Sequence, residues 1–243
     1  MKQSVFEIQS NAALADGVYK MVLCGDTSEI TVPGQFVNIK LSGNFLRRPL
    51  SVCDCEGDTL TVIYKTVGRG TKQLASMHTG ERLDILTGLG NGFDLSSSGN
   101  APLLIGGGAG ASPMYMLAKA LREQGREVSV ILGFNTKSEV FFEDEFKKLG
   151  CTVAVTTADG SYGTRGFVTA AIAQGYSHFY ACGPEPMLKA VCDATDTSGQ
   201  LSFEARMGCG FGACMGCSCR TITGSKRICR EGPVMRKEEL LWK

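Results

Sequence analysis

A small β barrel or sandwich, then an α/β domain built on a parallel sheet, then a compact cysteine-rich module is the fold class that this 243-residue sequence predicts. Three observations carry it. The first hundred residues hold short runs rich in Val, Ile, Phe and Tyr, such as Gly17–Leu23, Phe36–Leu41 and Thr59–Tyr64, bounded by Gly, Asp, Asn or Pro. From Ala101 apolar strands alternate with helical periods, the pattern of a parallel sheet covered on both faces. After Glu204 neither period persists, and Cys and Gly dominate.

Each element has its own signal. A helix is expected from Thr71, where a threonine can cap KQLASM. The polar stretch Ser96–Asn100 is the best domain boundary. Leu103–Ile105 reads as a buried strand and Pro113–Glu123 as a helix, with Met114, Leu117, Ala118 and Leu121 on one face and Pro113 in the first turn. Strand Val128–Leu132, helix Glu143–Leu149, strand Thr152–Thr156, helix Phe167–Ala173, strand His178–Ala181 and helix Pro186–Ala194 complete the alternation. The expected domains are therefore 1–98, 99–203 and 204–243.

Composition narrows the function classes. A formal net charge of +1 gives no electrostatic reason to expect nucleic acid or an anionic membrane. The start, MKQSVFEIQSN, has no apolar core of a signal peptide, and the longest apolar-looking stretch is broken by glycines and prolines. A cytoplasmic protein without a membrane span is the expectation. There, eleven cysteines argue against a disulfide framework, because thiols are kept reduced.

Cys209, Cys214, Cys217 and Cys229 stand as C-x4-C-x2-C-x11-C, and the first three have plant-type [2Fe–2S] spacing. Two irons need four converging thiolates and nearby backbone N–H groups. Gly208, Gly210, Gly212 and Gly216 allow so tight a wrap. A tetrahedral zinc site is the competing reading, although zinc knuckles pair their ligands as CxxC. Cys219 is left over, with a buried thiol favoured over a replacement ligand; Cys24, Cys53, Cys55, Cys151 and Cys192 read as core or near-core residues.

Arg47-Arg48-Pro49-Leu50-Ser51 and Lys65-Thr66-Val67-Gly68-Arg69-Gly70-Thr71 each follow a strand. Alone, either is an ordinary solvated face or turn. Together they offer what a flavin dinucleotide needs. An arginine fork can meet a pyrophosphate, Gly70 and Thr71 present donors at a helix start, and Leu50 and Ser51 can lie against the isoalloxazine. The loop Gly106-Gly107-Gly108-Ala109-Gly110 sits between strand and helix, where phosphates are captured, but Pro113 replaces the last glycine of a Rossmann fingerprint. A ligand-free glycine turn is its plain alternative. The segment Phe134–Glu139 has no arginine to grip a 2′-phosphate, which favours NAD over NADP. His78 and His178 have no partnered motif and read as core or surface residues.

Pro33-Gly34-Gln35-Phe36, Arg48–Ser51, Gly68-x-Gly70-Thr71, Gly88-Leu89-Gly90-Asn91-Gly92-Phe93 and the Gly106–Pro113 loop stand in an order that resembles ferredoxin–NADP reductases. The resemblance implies a six-stranded antiparallel barrel carrying FAD, and places Cys182 and Gly183 beside the nicotinamide. Leu50 departs from the commoner tyrosine of that motif, a variation of one branch. With the tail Glu204–Cys217 and Cys229–Val234, the chain over nearly its whole length is similar to the electron-transfer subunits of class 1B dihydroorotate dehydrogenases.

That resemblance implies FAD held by Arg48, Pro49, Leu50, Ser51, Ile63, Tyr64, Lys65, Gly70 and Thr71, and NAD held at Gly106, Gly107, Gly108, Gly110, Cys182 and Gly183. It implies a [2Fe–2S] cluster on Cys209, Cys214, Cys217 and Cys229, and no catalytic acid or base in this chain. The implied partner is an FMN-containing catalytic subunit, two of each chain forming a heterotetramer in pyrimidine biosynthesis. Subunits of sulfide dehydrogenases, bifurcating transhydrogenases and hydrogenases share the layout; in the bifurcating relatives one cluster ligand is an aspartate, and no candidate aspartate stands near these cysteines. A cluster or zinc sensor without enzymatic activity is the reading from another class, and the two dinucleotide-type loops speak against it.

Overall fold

The computed structural model describes residues 1–242; Lys243, the last residue of the expected third domain, lies outside the described residues. Six strands, β1 (Lys2–Ala15), β2 (Val18–Cys24), β3 (Phe36–Ile39), β4 (Arg48–Glu56), β5 (Thr59–Lys65) and β6 (Arg82–Leu89), close into an antiparallel barrel in the order β1-β2-β5-β4-β3-β6. Closure leaves no free edge. β6 alternates buried and open positions along its length, as a strand with one face in a core does. Phe6, Met21, Val37, Ile39, Val52, Val62 and Ile85 fill the interior.

Helix α1 (Arg69–Ala75) starts two residues earlier than expected. Thr71 is therefore inside its first turn and not the cap. Its hydroxyl still works at the helix start, accepting from the Val67 and Gly68 N–H groups at 3.0 and 3.1 Å.

The second sheet is seven-stranded. β7 (Pro102–Gly107), β8 (Ser129–Phe134), β9 (Thr152–Thr157), β10 (Thr164–Arg165), β11 (His178–Gly183) and β12 (Gly199–Phe203) run parallel in the order β10-β9-β8-β7-β11-β12. Every residue of β7 and β11 is buried, because helices cover both faces. Helix α2 (Ala111–Glu123) packs Met114, Leu117, Ala118 and Leu121 into a core that also takes Val18, Cys53 and Ile63 from the barrel. Helix α3 (Glu143–Lys148) follows β8, and α4 (Glu185–Asp193) lies against the opposite face through Leu188 and Val191. The helix expected over Phe167–Ala173 is only a 3₁₀ turn, Val168–Ala171. Val168 is the one residue there that is fully buried, so no second turn has a face to bury and the helix does not propagate.

The tail contributes a hairpin, β13 (Ser218–Thr221) and β14 (Gly224–Arg227), and then β15 (Val234–Arg236), which pairs antiparallel with β12. The cysteine-rich segment is thus stitched back into the second sheet. The stretch Ser96–Asn100 does link barrel to sheet, but Asp94 caps a 3₁₀ turn there and Ser98 is buried. Among the described residues no helix is long and apolar enough to cross a membrane.

Candidate functional site

The barrel, the sheet and the tail meet around a cavity of about 350 Å³. Barrel residues Phe36, Arg48, Pro49, Leu50, Ser51, Ile63, Tyr64, Lys65, Val67 and Thr71 line one side, Ala109, Ser202 and Phe203 of the sheet domain a second, and Glu204, Ala205, Met207 and Pro233 of the tail a third. Eight of the nine expected flavin residues line this wall. The ninth, Gly70, lies behind it: a Cβ there would stand 2.2 Å from Arg48 Nε, so glycine lets the guanidinium lie on the helix start.

The two neighbouring arginines have different duties. Arg47 is neutralised by Asp84 at 2.9 Å and donates to the Asn38 and Asp84 carbonyls, which locks strands together. Arg48 is held only by neutral acceptors, the Leu46 carbonyl at 2.6 Å and Asn44 Oδ1 at 2.8 Å, and among the described residues it has no carboxylate partner. Its charge is steered into the cavity and left uncompensated, which suits a pyrophosphate. Tyr64 bounds the cavity but turns its ring into the barrel core, where its hydroxyl donates to Asn11 Oδ1; burial holds that phenol up at about 12. Lys65 is tied to Glu139 of the sheet domain at 2.6 Å.

The glycine loop after β7 and the segment after β11 are brought together. A Cβ on Gly110 would stand 2.2 Å from the Cys182 carbonyl oxygen, and one on Gly107 would stand 2.3 Å from Met187 Sδ. Gly108, at φ +54°, has open space around its Cα, so its backbone is free for a ligand to approach. Ala109 of this loop reaches the cavity, while burial raises the Cys182 thiol and keeps it protonated. Gly106 packs on Ala111 at the start of α2, and Gly183 rests against Met187.

The four cysteines lie in two pairs, Cys209 with Cys214 and Cys217 with Cys229. The Cys209 N–H donates to Cys214 Sγ at 3.4 Å, and the Cys229 N–H to Cys217 Sγ at 3.4 Å. Ala213 and Cys214 donate from their backbones to Cys209 Sγ at 3.2 and 3.5 Å. Burial would raise the Cys209 thiol, yet the N–H groups of Cys214, Phe211 and Ala213 bring it down to about 6. Cys229 is pushed up to about 12, by burial first and then by the Cys217 thiol. Gly210 and Gly212, at φ +80° and +94°, make the turns; Gly208 and Gly216 are not in that region. Among the described residues no three potential ligands converge on a single metal ion. Two pairs of cysteines are the donor set that a [2Fe–2S] centre takes. Cys219 is half-buried, with its Sγ 3.7 Å from Met235 Sδ.

Several working residues escaped the sequence reading. Ser202, Phe203, Glu204, Ala205, Met207 and Pro233 line the cavity through the junction of sheet and tail, which no local pattern reveals. Asn91 takes a definite role: it donates to the Val234 and Glu231 carbonyls at 2.7 and 3.2 Å and accepts from the Val234 N–H at 3.1 Å, pinning the tail to the barrel.

Comparison with known proteins agrees with this geometry. Residues 204–241 match the iron–sulfur cluster binding domain of dihydroorotate dehydrogenase B, and residues 104–193 match the oxidoreductase NAD-binding domain. The dihydroorotate dehydrogenase B (NAD⁺) electron transfer subunit of Bacillus pumilus is 42% identical over 99% of this chain and 98% of its own length. That of Fusobacterium nucleatum is 43% identical over 96% of both. The chain belongs to this family of electron transfer subunits. Among solved structures, a chain of the NADH-dependent reduced ferredoxin–NADP oxidoreductase superposes with a TM-score of 0.88 at 30% identity, over 98% of this chain and 90% of that one. Phthalate dioxygenase reductase, at 22% identity, a TM-score of 0.64 and coverage of 79% and 63%, shares the fold. In the dihydroorotate dehydrogenase B family the paired thiols and the glycine loop of this chain fall within the two matched domains.

Proposed function

We propose that this chain serves a catalytic partner subunit by carrying electrons from the partner's FMN, through a [2Fe–2S] centre and FAD held here, to NAD⁺, completing the oxidation of dihydroorotate in pyrimidine biosynthesis. Residues 1–98 carry the flavin, 99–203 the nicotinamide and 204–243 the cluster. Arg48 and the start of α1 hold the pyrophosphate, Pro49, Leu50 and Ser51 bound the flavin ring, and Ile63, Tyr64 and Lys65 form its floor. Gly106, Gly107, Gly108 and Gly110 receive the dinucleotide phosphates, with Cys182 and Gly183 against the nicotinamide. Bound in this cavity, the flavin supplies the exchange between one-electron and two-electron chemistry that iron–sulfur and nicotinamide groups cannot make directly.

The observation that supports the reading most is the shared core. Phe36 lines the cavity and also belongs to the same buried apolar cluster as Cys217 and Cys229, so the flavin place and these thiols adjoin one small core. No acid or base need act in this chain; its residues bind, orient and exclude water. Two copies of each subunit make the assembly.

The test is co-expression with an FMN-containing dihydroorotate dehydrogenase subunit. The expected complex contains FAD, FMN, and iron and sulfide in equal amounts, and it forms NADH from dihydroorotate. Zinc in place of iron, or NADH formation that persists at full rate without this chain, overturns the reading.

A further inference from the structure

Strand β3 is buried at all four positions because it has two covered faces. Val37 and Ile39 point into the barrel core, whereas Phe36 and Asn38 face the tail. Asn38 is fully buried, sits opposite Pro49 of the flavin strand β4, and donates from Nδ2 to the Cys209 carbonyl at 3.2 Å. Its Oδ1 is buried without a partner. An apolar side chain of the same size would avoid that loss, so what the amide contributes is the one directed bond. Gly210 fits tightly around it, since a Cβ there would stand 2.2 Å from Asn38 Nδ2.

The loop that carries this carbonyl also aims the N–H groups of Ala213 and Cys214 at Cys209 Sγ, at 3.2 and 3.5 Å. Successive N–H groups of this kind form a concavity for negative charge.

We propose that Asn38 is a positioning residue that holds this N–H-lined loop in shape by anchoring the Cys209 carbonyl to the flavin barrel, and that it thereby raises the reduction potential of the cluster. The physical reason is the sign of the charge. The reduced centre is the more negative, so fixed N–H donors stabilise it preferentially, and a loosened loop stabilises it less. The same bond fixes the cluster loop to the strand paired with Pro49 and Leu50, and so its distance from the flavin.

The inference rests on the proposed carrier chain, and iron analysis of the unmodified complex tests that chain separately. Asn38→Leu removes the donor at nearly constant volume, and Asn38→Gln keeps a carboxamide. Both are examined in the complete complex by redox titration followed by electron paramagnetic resonance. In Asn38→Leu the cluster midpoint is expected to move to a more negative value with a changed line shape. Flavin content, the flavin midpoint and the KM for NADH stay as they are, while turnover through the cluster falls several-fold. Asn38→Gln is expected to restore potential and line shape; retention of the cluster by Asn38→Gln when Asn38→Leu loses it supports the same conclusion. An unchanged midpoint in Asn38→Leu overturns the proposal. So does an equal shift in both variants, or loss of the cluster from both, since position 38 would then supply space and not a bond.

Discussion

The barrel and the cysteine tail hold their shapes by different means. The barrel closes its hydrogen bonding on itself and fills its interior with fully buried Phe6, Ile8, Met21, Leu23, Val52 and Ile85. The tail has one two-stranded hairpin, positive-φ positions at Gly210, Gly212, Met215 and Gly224, and a small apolar cluster in which Phe36 and Leu89 are borrowed from the barrel. Arg227 donates to the Gly212 carbonyl at 2.6 Å within the tail, and the remaining order comes from outside: β15 joins the second sheet and Asn91 grips Val234. The barrel can bind a cofactor because it is already folded. The tail has only a small core of its own, so it is expected to gain much of its stability from what it binds, as other small metal modules do.

Replacing one thiolate tests this difference most severely. Cys217→Ser should abolish the cluster and electron exchange with the partner. Hydrogen exchange across residues 208–231 should rise sharply while the barrel strands stay protected and FAD stays bound. Loss of barrel protection would break the comparison. The reverse arm is Arg48→Ala, which should weaken FAD binding about ten- to hundredfold, the worth of charge-assisted hydrogen bonds, and leave iron content unchanged. Fluorescence of released flavin reads the first and metal analysis the second. The smallest effect is expected at the seam. Asn91→Ala should cost about 1 kcal/mol in thermal stability, because its bonds are partly exposed, and should raise exchange near Val234 before it touches either cofactor.

Legibility followed the locality of the signal. The cysteine spacing, the glycine loop after β7 and the amphipathic face of α2 are all local, and each pointed to its place in the structure. Arg47 and Arg48 are identical side chains in adjacent positions, and nothing local says which faces a carboxylate. Arg47, in the loop just before β4, reaches Asp84, whereas Arg48, the first residue of β4, lines the cavity. Asn38 read as an ordinary strand residue, because its partner lies 171 positions further along the chain.

The sequence by itself determined the order of β domain, parallel sheet and cysteine module, because hydrophobic period and cysteine spacing are written within a few consecutive residues. Only the tertiary structure decided that these parts meet, with Phe36 lining the cavity and sharing a core with Cys217 and Cys229, β15 in the second sheet and Asn38 bonded to the Cys209 carbonyl. Contacts of that kind join residues distant in sequence, and their geometry exists only once the core has packed.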